Sequence, residues 1–261
     1  MGKVYLVGAG PGAPDLLTLR AARLLARADI VFHDALVHPE VVALARRAVI
    51  VPVGKRCGAH STAQRFINKR LVDAARRHEV VVRLKGGDPM LFGRAQEEIA
   101  ALAAHGVPCE VVPGVTAALA AAAALRMSLT ERGRVRSVAF VTPRVARDDA
   151  VDRGWLDALL GADAGAVYMA AGQAATIARA LIDGGKRGSL PVVLVENASL
   201  PSMRVHHTDL ARLAGGAAPP VTGPALLLLG PQFAAAASAT GAPGDDERLV
   251  AHATRVAQQA S

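Results

Sequence analysis

The chain has 261 residues, 52% of them hydrophobic and 20% charged, and its 30 Lys and Arg outnumber 22 Asp and Glu to give a formal net charge of +8. That apolar content excludes disorder along the whole length and suffices for one large core or two smaller ones. The apolar runs are short, the Ala-rich stretch Thr116–Leu125 cannot span a bilayer, and no charged-then-apolar leader precedes Val4, so a cytoplasmic protein without a membrane partner is expected.

Val4–Val7 reads as a buried strand, followed by the glycine loop Gly8–Gly12 and a helical spacing over Asp15–Arg27. Ile30–Phe32 and Val49–Val53 read as strands on either side of a helix over Glu40–Arg47. Thr62–His78 is helical, Val80–Leu84 is a strand apolar on both faces, Ala95–His105 is a helix capped by Gly106, and Val111 and Val112 form a fifth strand. Such alternation predicts a parallel α/β sheet. After a helical Val115–Leu125 the pattern restarts, with strands at Val138–Val141, Ala166–Met169, Val192–Val195 and Ala225–Leu229 and a helix at Ala174–Asp183. Arg144–Gly154 reads as an exposed loop. The fold class expected is α/β, with two α/β domains (residues 1–115 and 116–233) and a tail over 234–261 that is frayed or forms a marginal helix.

Cys57 and Cys109 are the two cysteines, without a Cys-x-x-Cys, so neither a disulfide framework nor a metal site is expected. Cys57 follows Lys55 and Arg56, which could lower its pKa, but an ordinary reduced cysteine is the simpler reading. Only five of the 30 basic residues are lysines. Arginine forks suit carboxylates and phosphates. Aromatics are only 3% and no basic run reaches five, which speaks against nucleic acid; a polycarboxylate small molecule fits the charge equally well.

Three segments could carry chemistry. Gly8-Ala9-Gly10-Pro11-Gly12-Ala13 after a strand meets the loose dinucleotide fingerprint, and Asp29 and Asp34 lie roughly where a ribose-binding acid could sit. A nicotinamide or flavin site is thus a competitor on this motif alone. Pro11 and Pro14, however, each remove an N–H donor from a loop that would have to face a pyrophosphate. The second segment, Lys85-Gly86-Gly87-Asp88-Pro89-Met90-Leu91-Phe92-Gly93-Arg94, also follows a strand, where paired glycines admit a ligand close to backbone. Asp88 suits a cationic ligand better than a phosphate. The third pairs His33-Asp34-Ala35-Leu36-Val37 with Val53-Gly54-Lys55-Arg56. Asp34 and Lys55 there could be a base and an acid, or simply a solvated ion pair.

Val4-Tyr5-Leu6-Val7-Gly8-Ala9-Gly10-Pro11-Gly12 with Asp15-Leu16-Leu17-Thr18-Leu19, Val82-Arg83-Leu84-Lys85-Gly86-Gly87-Asp88-Pro89 with Phe92-Gly93-Arg94, Val112-Pro113-Gly114-Val115-Thr116-Ala117-Ala118, Leu129-Thr130, Tyr168-Met169 and Val195-Glu196-Asn197 resemble the tetrapyrrole methyltransferases in order and spacing from about Lys3 to Phe233. The resemblance implies two α/β domains with the active site in the cleft between them, in a homodimer. It implies S-adenosylmethionine as cofactor, against Pro11, Gly86, Gly87, Asp88, Leu91, Thr116, Ala117 and Met169, with Ala198 and Ala225 near the adenine. It implies a polycarboxylate tetrapyrrole substrate, uroporphyrinogen III, methylated on two ring carbons to precorrin-2 by way of precorrin-1, for sirohaem and corrinoid synthesis. A member of the same superfamily acting on another corrin precursor is the alternative. Asp34 would accept a proton and Lys55 donate one, and Arg56 and Arg94 would bind substrate carboxylates. Without the dehydrogenase–ferrochelatase module fused in some relatives, the chemistry is expected to stop at precorrin-2. His33, Met90-Leu91, Ser128, Glu131 and Ala198 depart from the residues usual in the family.

Overall fold

A computed structural model of the protein describes residues 1–53, 60–143 and 153–234. Lys55, Arg56, Cys57, all but the end of the Arg144–Gly154 loop and the tail beyond 234 lie outside the described residues. Two five-stranded sheets carry the structure.

The first sheet holds β1 (Lys3–Gly8), β2 (Ile30–His33), β3 (Val49–Pro52), β4 (Val80–Lys85) and β5 (Cys109–Val112) in the order β3-β2-β4-β1-β5, and every neighbouring pair is parallel. Between the strands run α1 (Leu19–Arg27), α2 (Pro39–Val42), α3 (His60–Ala75) and α4 (Ala95–Ala104). Alternation along each strand sends Leu6, Phe32 and Val81 to one face, against Ile67 and Leu71 of α3 and Leu102 of α4. Val7, Val31, Val82 and Leu84 go to the other face, against Leu24 and Leu25 of α1. Because the strands are parallel, their carboxyl ends share one rim, where ligands bind in open sheets of this kind.

The second sheet holds β6 (Val138–Val141), β7 (Ala164–Tyr168), β8 (Pro191–Glu196), β9 (Arg204–Asp209) and β10 (Ala225–Leu229) in the order β6-β7-β10-β8-β9. Only β6 and β7 are parallel; the other pairs are antiparallel. Its helices are α5 (Ala117–Leu125), α6 (Gly154–Gly161), α7 (Ala174–Asp183) and α8 (Leu210–Ala214). The small methyls of Ala118, Ala121 and Ala122 let α5 lie close on a face formed by Ala166, Val193, Val195, Leu226 and Leu228. The opposite face, with Val167, Val192, Leu194, Leu227 and Leu229, is covered by Leu156, Leu159, Ile177, Leu181, Leu210 and Leu213.

The structure departs from the sequence reading in several places. The expected helix over Asp15–Arg27 is broken: Pro14–Leu16 forms a 3-10 turn, and α1 starts only after Thr18, whose Oγ1 accepts from Ala21 N at 3.1 Å. The expected helix over Glu40–Arg47 is the four-residue α2. The all-parallel pattern stops with the first sheet, and in the second only β6 and β7 keep it. Strand β9 and helices α6 and α8 carry no clear period-2 or long helical signature in the sequence. No helix among the described residues is long and apolar enough to cross a membrane, and none of their His, Cys, Asp or Glu side chains cluster to hold a metal ion.

Candidate active site

At the shared rim, β1, β4 and β5 lie side by side and their following loops are laced together. Gly10 N donates to Gly87 O at 3.2 Å and Gly87 N to Gly10 O at 2.7 Å. A β-carbon on Gly8 would sit 2.6 Å from the Gly114 Cα and 2.8 Å from the Gly87 oxygen. The three loops therefore meet as bare backbone. Asp88, expected as a counter-charge for a cationic ligand, spends both oxygens locally: Oδ2 accepts from Gly114 N at 2.9 Å and Oδ1 from Met90 N at 2.7 Å. Its first task is to tie the β4 loop to the turn after β5. Leu91 follows on this loop and is half-buried; Gly86 faces Leu36, whose Cβ lies 3.2 Å from where a Gly86 side chain would begin.

Loops of the second sheet come against this rim. Ala13 N, two residues after Pro11, donates to Ser199 Oγ at 3.1 Å, and Gly12 abuts the Leu200 side chain. Thr116, 8% exposed, shares a 2.7 Å hydrogen bond with the Tyr168 hydroxyl, which also accepts from Ala118 N at 3.2 Å. Burial pushes the Tyr168 phenol up from its ordinary pKa. The Phe92 ring lies 5.2 Å from the Tyr168 ring, and Met169 beside it is exposed with φ of 57°. Ala117 starts α5 next to Thr116 and is partly buried on the second core. The Ala198 methyl is buried in that core, so it offers backbone rather than side chain, and Ala225 pairs with Glu196 across β10 and β8.

Phe92, Arg94, Met169, Asn197 and Ser199 all hold positive φ, and all lie on these loops. Strained backbone of this kind gathers where a ligand must be met in one geometry. Glu196 secures the segment beneath: Oε1 accepts from Gly223 N at 2.5 Å and Thr222 N at 2.7 Å, and Oε2 pairs with Arg204 at 2.5 Å. The Gly223 N–H above all, with Thr222 and Arg204, holds its carboxyl down at about 2.

Beside the glycine loops lies a cluster of charges. Asp34, just past β2, accepts on Oδ1 from Nη2 of Arg83 at 2.5 Å. Arg83 Nε and Lys85 Nζ both reach Glu98 Oε1 at 3.1 Å, and Gln64 Nε2 donates to the same oxygen at 3.1 Å. Burial first, and Arg83 next, lower the Lys85 pKa. Arg94 forks onto Glu97 at 2.6 and 2.7 Å, so a substrate carboxylate would have to share it. The structure thus brings Asp34, Pro11, the Gly86–Asp88 loop, Thr116 and Met169 to one region, while Lys55 and Arg56 fall outside the described residues. Sequence reasoning missed Arg83, Glu98, Glu97 and Ser199; a charge inside the apolar run of β4 was the available signal for Arg83. A separate groove of about 510 Å³ between α5 and β6, lined by Leu119, Ala122, Met127, Leu129, Val138 and Phe140, is apolar and contains none of the expected site residues.

Loops from two five-stranded sheets thus meet over glycine backbone, with the Asp34 carboxylate beside them at the rim. Residues 3–214 match the model of the Tetrapyrrole (Corrin/Porphyrin) Methylases. The chain is 44% identical over 258 residues to the uroporphyrinogen-III C-methyltransferase of Paracoccus denitrificans, covering 97% of this chain and 90% of that one. It is 46% identical over 232 residues to the siroheme synthase of Azotobacter vinelandii, 88% of this chain but about half (50%) of that protein's length. The crystal structure of uroporphyrin-III C-methyl transferase from Thermus thermophilus complexed with S-adenyl homocysteine superimposes with a TM-score of 0.78 at 42% identity, covering 89% of this chain and 99% of the other. The chain belongs to the tetrapyrrole methylase family.

Proposed function

We propose that the protein is an S-adenosylmethionine-dependent methyltransferase that methylates uroporphyrinogen III on two ring carbons, giving precorrin-2 by way of precorrin-1. The near full-length identity to the Paracoccus enzyme and the match to the Thermus structure support this reading. The observation that carries it in this chain is the close packing of the β1, β4 and β5 loops, in which a β-carbon on Gly8 or Gly114 would strike backbone of the neighbouring loops. Loops joined this way present carbonyls and small residues at the rim, and a sulfonium asks for acceptors rather than phosphate-type donors. S-adenosylmethionine supplies a methyl group already activated on that sulfonium.

The chain's residues then have three tasks. Gly86, Gly87, Thr116 and Met169, with Pro11, Leu91 and Ala117 around them, hold the methyl donor, and Ala198 and Ala225 contribute backbone toward its adenine end. Asp88 keeps the loop in shape and adds a negative charge beside it. Alignment of donor and nucleophile, with water kept out, is worth many powers of ten in rate. The reduced pyrrole carbon is itself the nucleophile, so the protein need not generate one. Methylation leaves a cationic ring that must lose a proton, and Asp34 is the acceptor: its Oδ1 is held by Arg83, and its Oδ2 has no hydrogen-bond partner among the described residues. Lys55 is the proton donor, and Arg56 and Arg94 receive substrate carboxylates, in keeping with the Arg-rich charge of +8.

The two sheets with their covering helices act as two domains, residues 1–115 and 116–233, that grip the ligands between them. The working unit is a homodimer in the cytoplasm, and its product serves sirohaem and cobalamin synthesis. The deciding experiment is anaerobic incubation of the purified protein with uroporphyrinogen III and S-adenosylmethionine, read by mass spectrometry. A gain of two methyl groups supports the reading. No gain, with S-adenosylmethionine still bound, moves the substrate to another corrin precursor.

A further inference from the structure

Arg83, Glu98 and Lys85 are charged, almost completely buried, and unused in the reaction as described above. Their side chains are 2%, 0% and 4% exposed. Register pairs Phe32 of β2 with Arg83 of β4, so Asp34 and Lys85, each two residues further on, share the sheet face that α3 and α4 cover. On that face Glu98 Oε1 collects Arg83, Lys85 and Gln64, while Oε2 has no partner among the described residues. Arg83 spends Nε on Glu98, Nη1 on Leu84 O at 3.2 Å and Nη2 on Asp34. One guanidinium is thus divided between a sealed carboxylate and one that is 31% exposed at the rim of the cleft. Stability alone gives weak reason for such a group, because well-packed apolar residues replace buried ion pairs at little or no cost.

We propose that Arg83 is a positioning residue for Asp34, holding Oδ1 so that Oδ2 alone receives the proton, and that Glu98, steadied by Lys85 and Gln64, withholds part of the Arg83 charge so that Asp34 remains a competent base. This rests on the reading of Asp34 as the proton acceptor. Among the described residues, titratable and charged groups on the neighbouring elements have contacts of their own. From its own strand His33 places Nδ1 3.1 Å from the Asp34 carbonyl, from α3 Arg70 lies over the Phe32 ring, and from α4 Glu97 is engaged by Arg94. The depressed pKa of Lys85, caused by burial and by Arg83, agrees with positive charges already competing for Glu98. Glu98, Lys85 and Arg83 are sealed from water, so a change of charge at Glu98 is felt by Arg83 with little screening and is passed by its guanidinium to Asp34 at the rim.

The test is the pH profile of single-turnover methyl transfer, with S-adenosylhomocysteine affinity and thermal melting measured on the same preparations. Glu98→Gln leaves the whole Arg83 charge on Asp34; the rate plateau falls about tenfold and its acidic limb moves to lower pH. Arg83→Lys keeps the charge but loses the fork; the rate falls and the acidic limb moves to higher pH. Should either single variant fail to fold, the double variant Arg83→Met with Glu98→Met removes the buried pair together, and its acidic limb also moves to higher pH. Folded variants with an undisplaced limb, whether at full rate or uniformly slowed, overturn the proposal. Asp34→Asn, run in parallel, separates the two levels: near-normal transfer there sinks Asp34 itself, whereas slow transfer with undisplaced limbs in the other variants sinks only the role of Arg83 and Glu98.

Discussion

Gly114 stands so close to the β4 loop that a β-carbon added to it would meet the Gly87 oxygen at 2.4 Å and the Gly8 Cα at 2.8 Å. Both obstacles are backbone, so neither can swing aside as the end of a flexible side chain would. Gly114→Ala is therefore expected to force the β1 and β4 loops apart. The strain should cost about 1–3 kcal/mol, the usual range for overpacking. Affinity for S-adenosylhomocysteine should fall more steeply than stability. Calorimetric titration beside a urea denaturation series checks this; unchanged affinity in a folded variant would show that the packed loops do not form the cofactor cradle.

Tyr168→Phe removes a hydroxyl that bonds both Thr116 Oγ1 and Ala118 N at the start of α5. The ring contact with Phe92 remains. The expected loss is about 1 kcal/mol of stability, with Thr116 left without its partner. The KM for S-adenosylmethionine should rise, because Thr116 is no longer oriented. A KM at the wild-type value would mean that the hydroxyl serves packing alone.

The first sheet was legible because each strand is a short, largely apolar run closed by a loop; the inner strands β1, β2 and β4 are mostly buried, while the edge strand β3 is largely exposed and is marked by its apolar run alone. The glycine loops and Asp34 were legible for the related reason that special residues stand directly after strands. The second sheet was harder. Its edge strand Arg204–Asp209, with the sequence Arg-Val-His-His-Thr-Asp, pairs among the described residues with β8 alone and is mostly polar. Arg83 left one sign, a charge inside the apolar run of β4, but its purpose could not be read until α4 brought the Glu98 carboxylate to it. The Ser199 contact to Ala13 spans 186 residues and no local pattern announces it.

Glu196 couples stability to pH. Its folded-state pKa lies at about 2 against an ordinary 4.5, so its contribution is fully present above about 4.5 and disappears as pH falls toward 2. Glu196→Gln retains an acceptor for Gly223 and Thr222 but loses the ion pair with Arg204. The variant should be less stable than wild type at neutral pH, and the difference should close between those two values. Urea midpoints across an acid series test this. A gap that stays constant through the window would show that the Glu196 charge does not contribute to folding.

Asp34 and Lys55 carry the sharpest prediction about chemistry. Asp34→Asn keeps the shape of the side chain and can still meet Arg83, but it cannot take a proton. If proton removal from the methylated ring is part of the rate-determining sequence, transfer should slow by about 10²–10⁴, the range of general base catalysis. S-adenosylhomocysteine affinity should hold if the glycine loops bind the cofactor, because the carboxylate lies beside those loops rather than within them. Lys55→Met should behave similarly if Lys55 donates a proton, while a pure carboxylate-binding role would raise the KM for uroporphyrinogen III and leave the single-turnover rate at saturation intact. Measuring rate and cofactor affinity together on each variant distinguishes the outcomes, and a rate near wild type for Asp34→Asn would remove the base from the mechanism and leave alignment of donor and ring carbon as the main source of catalysis.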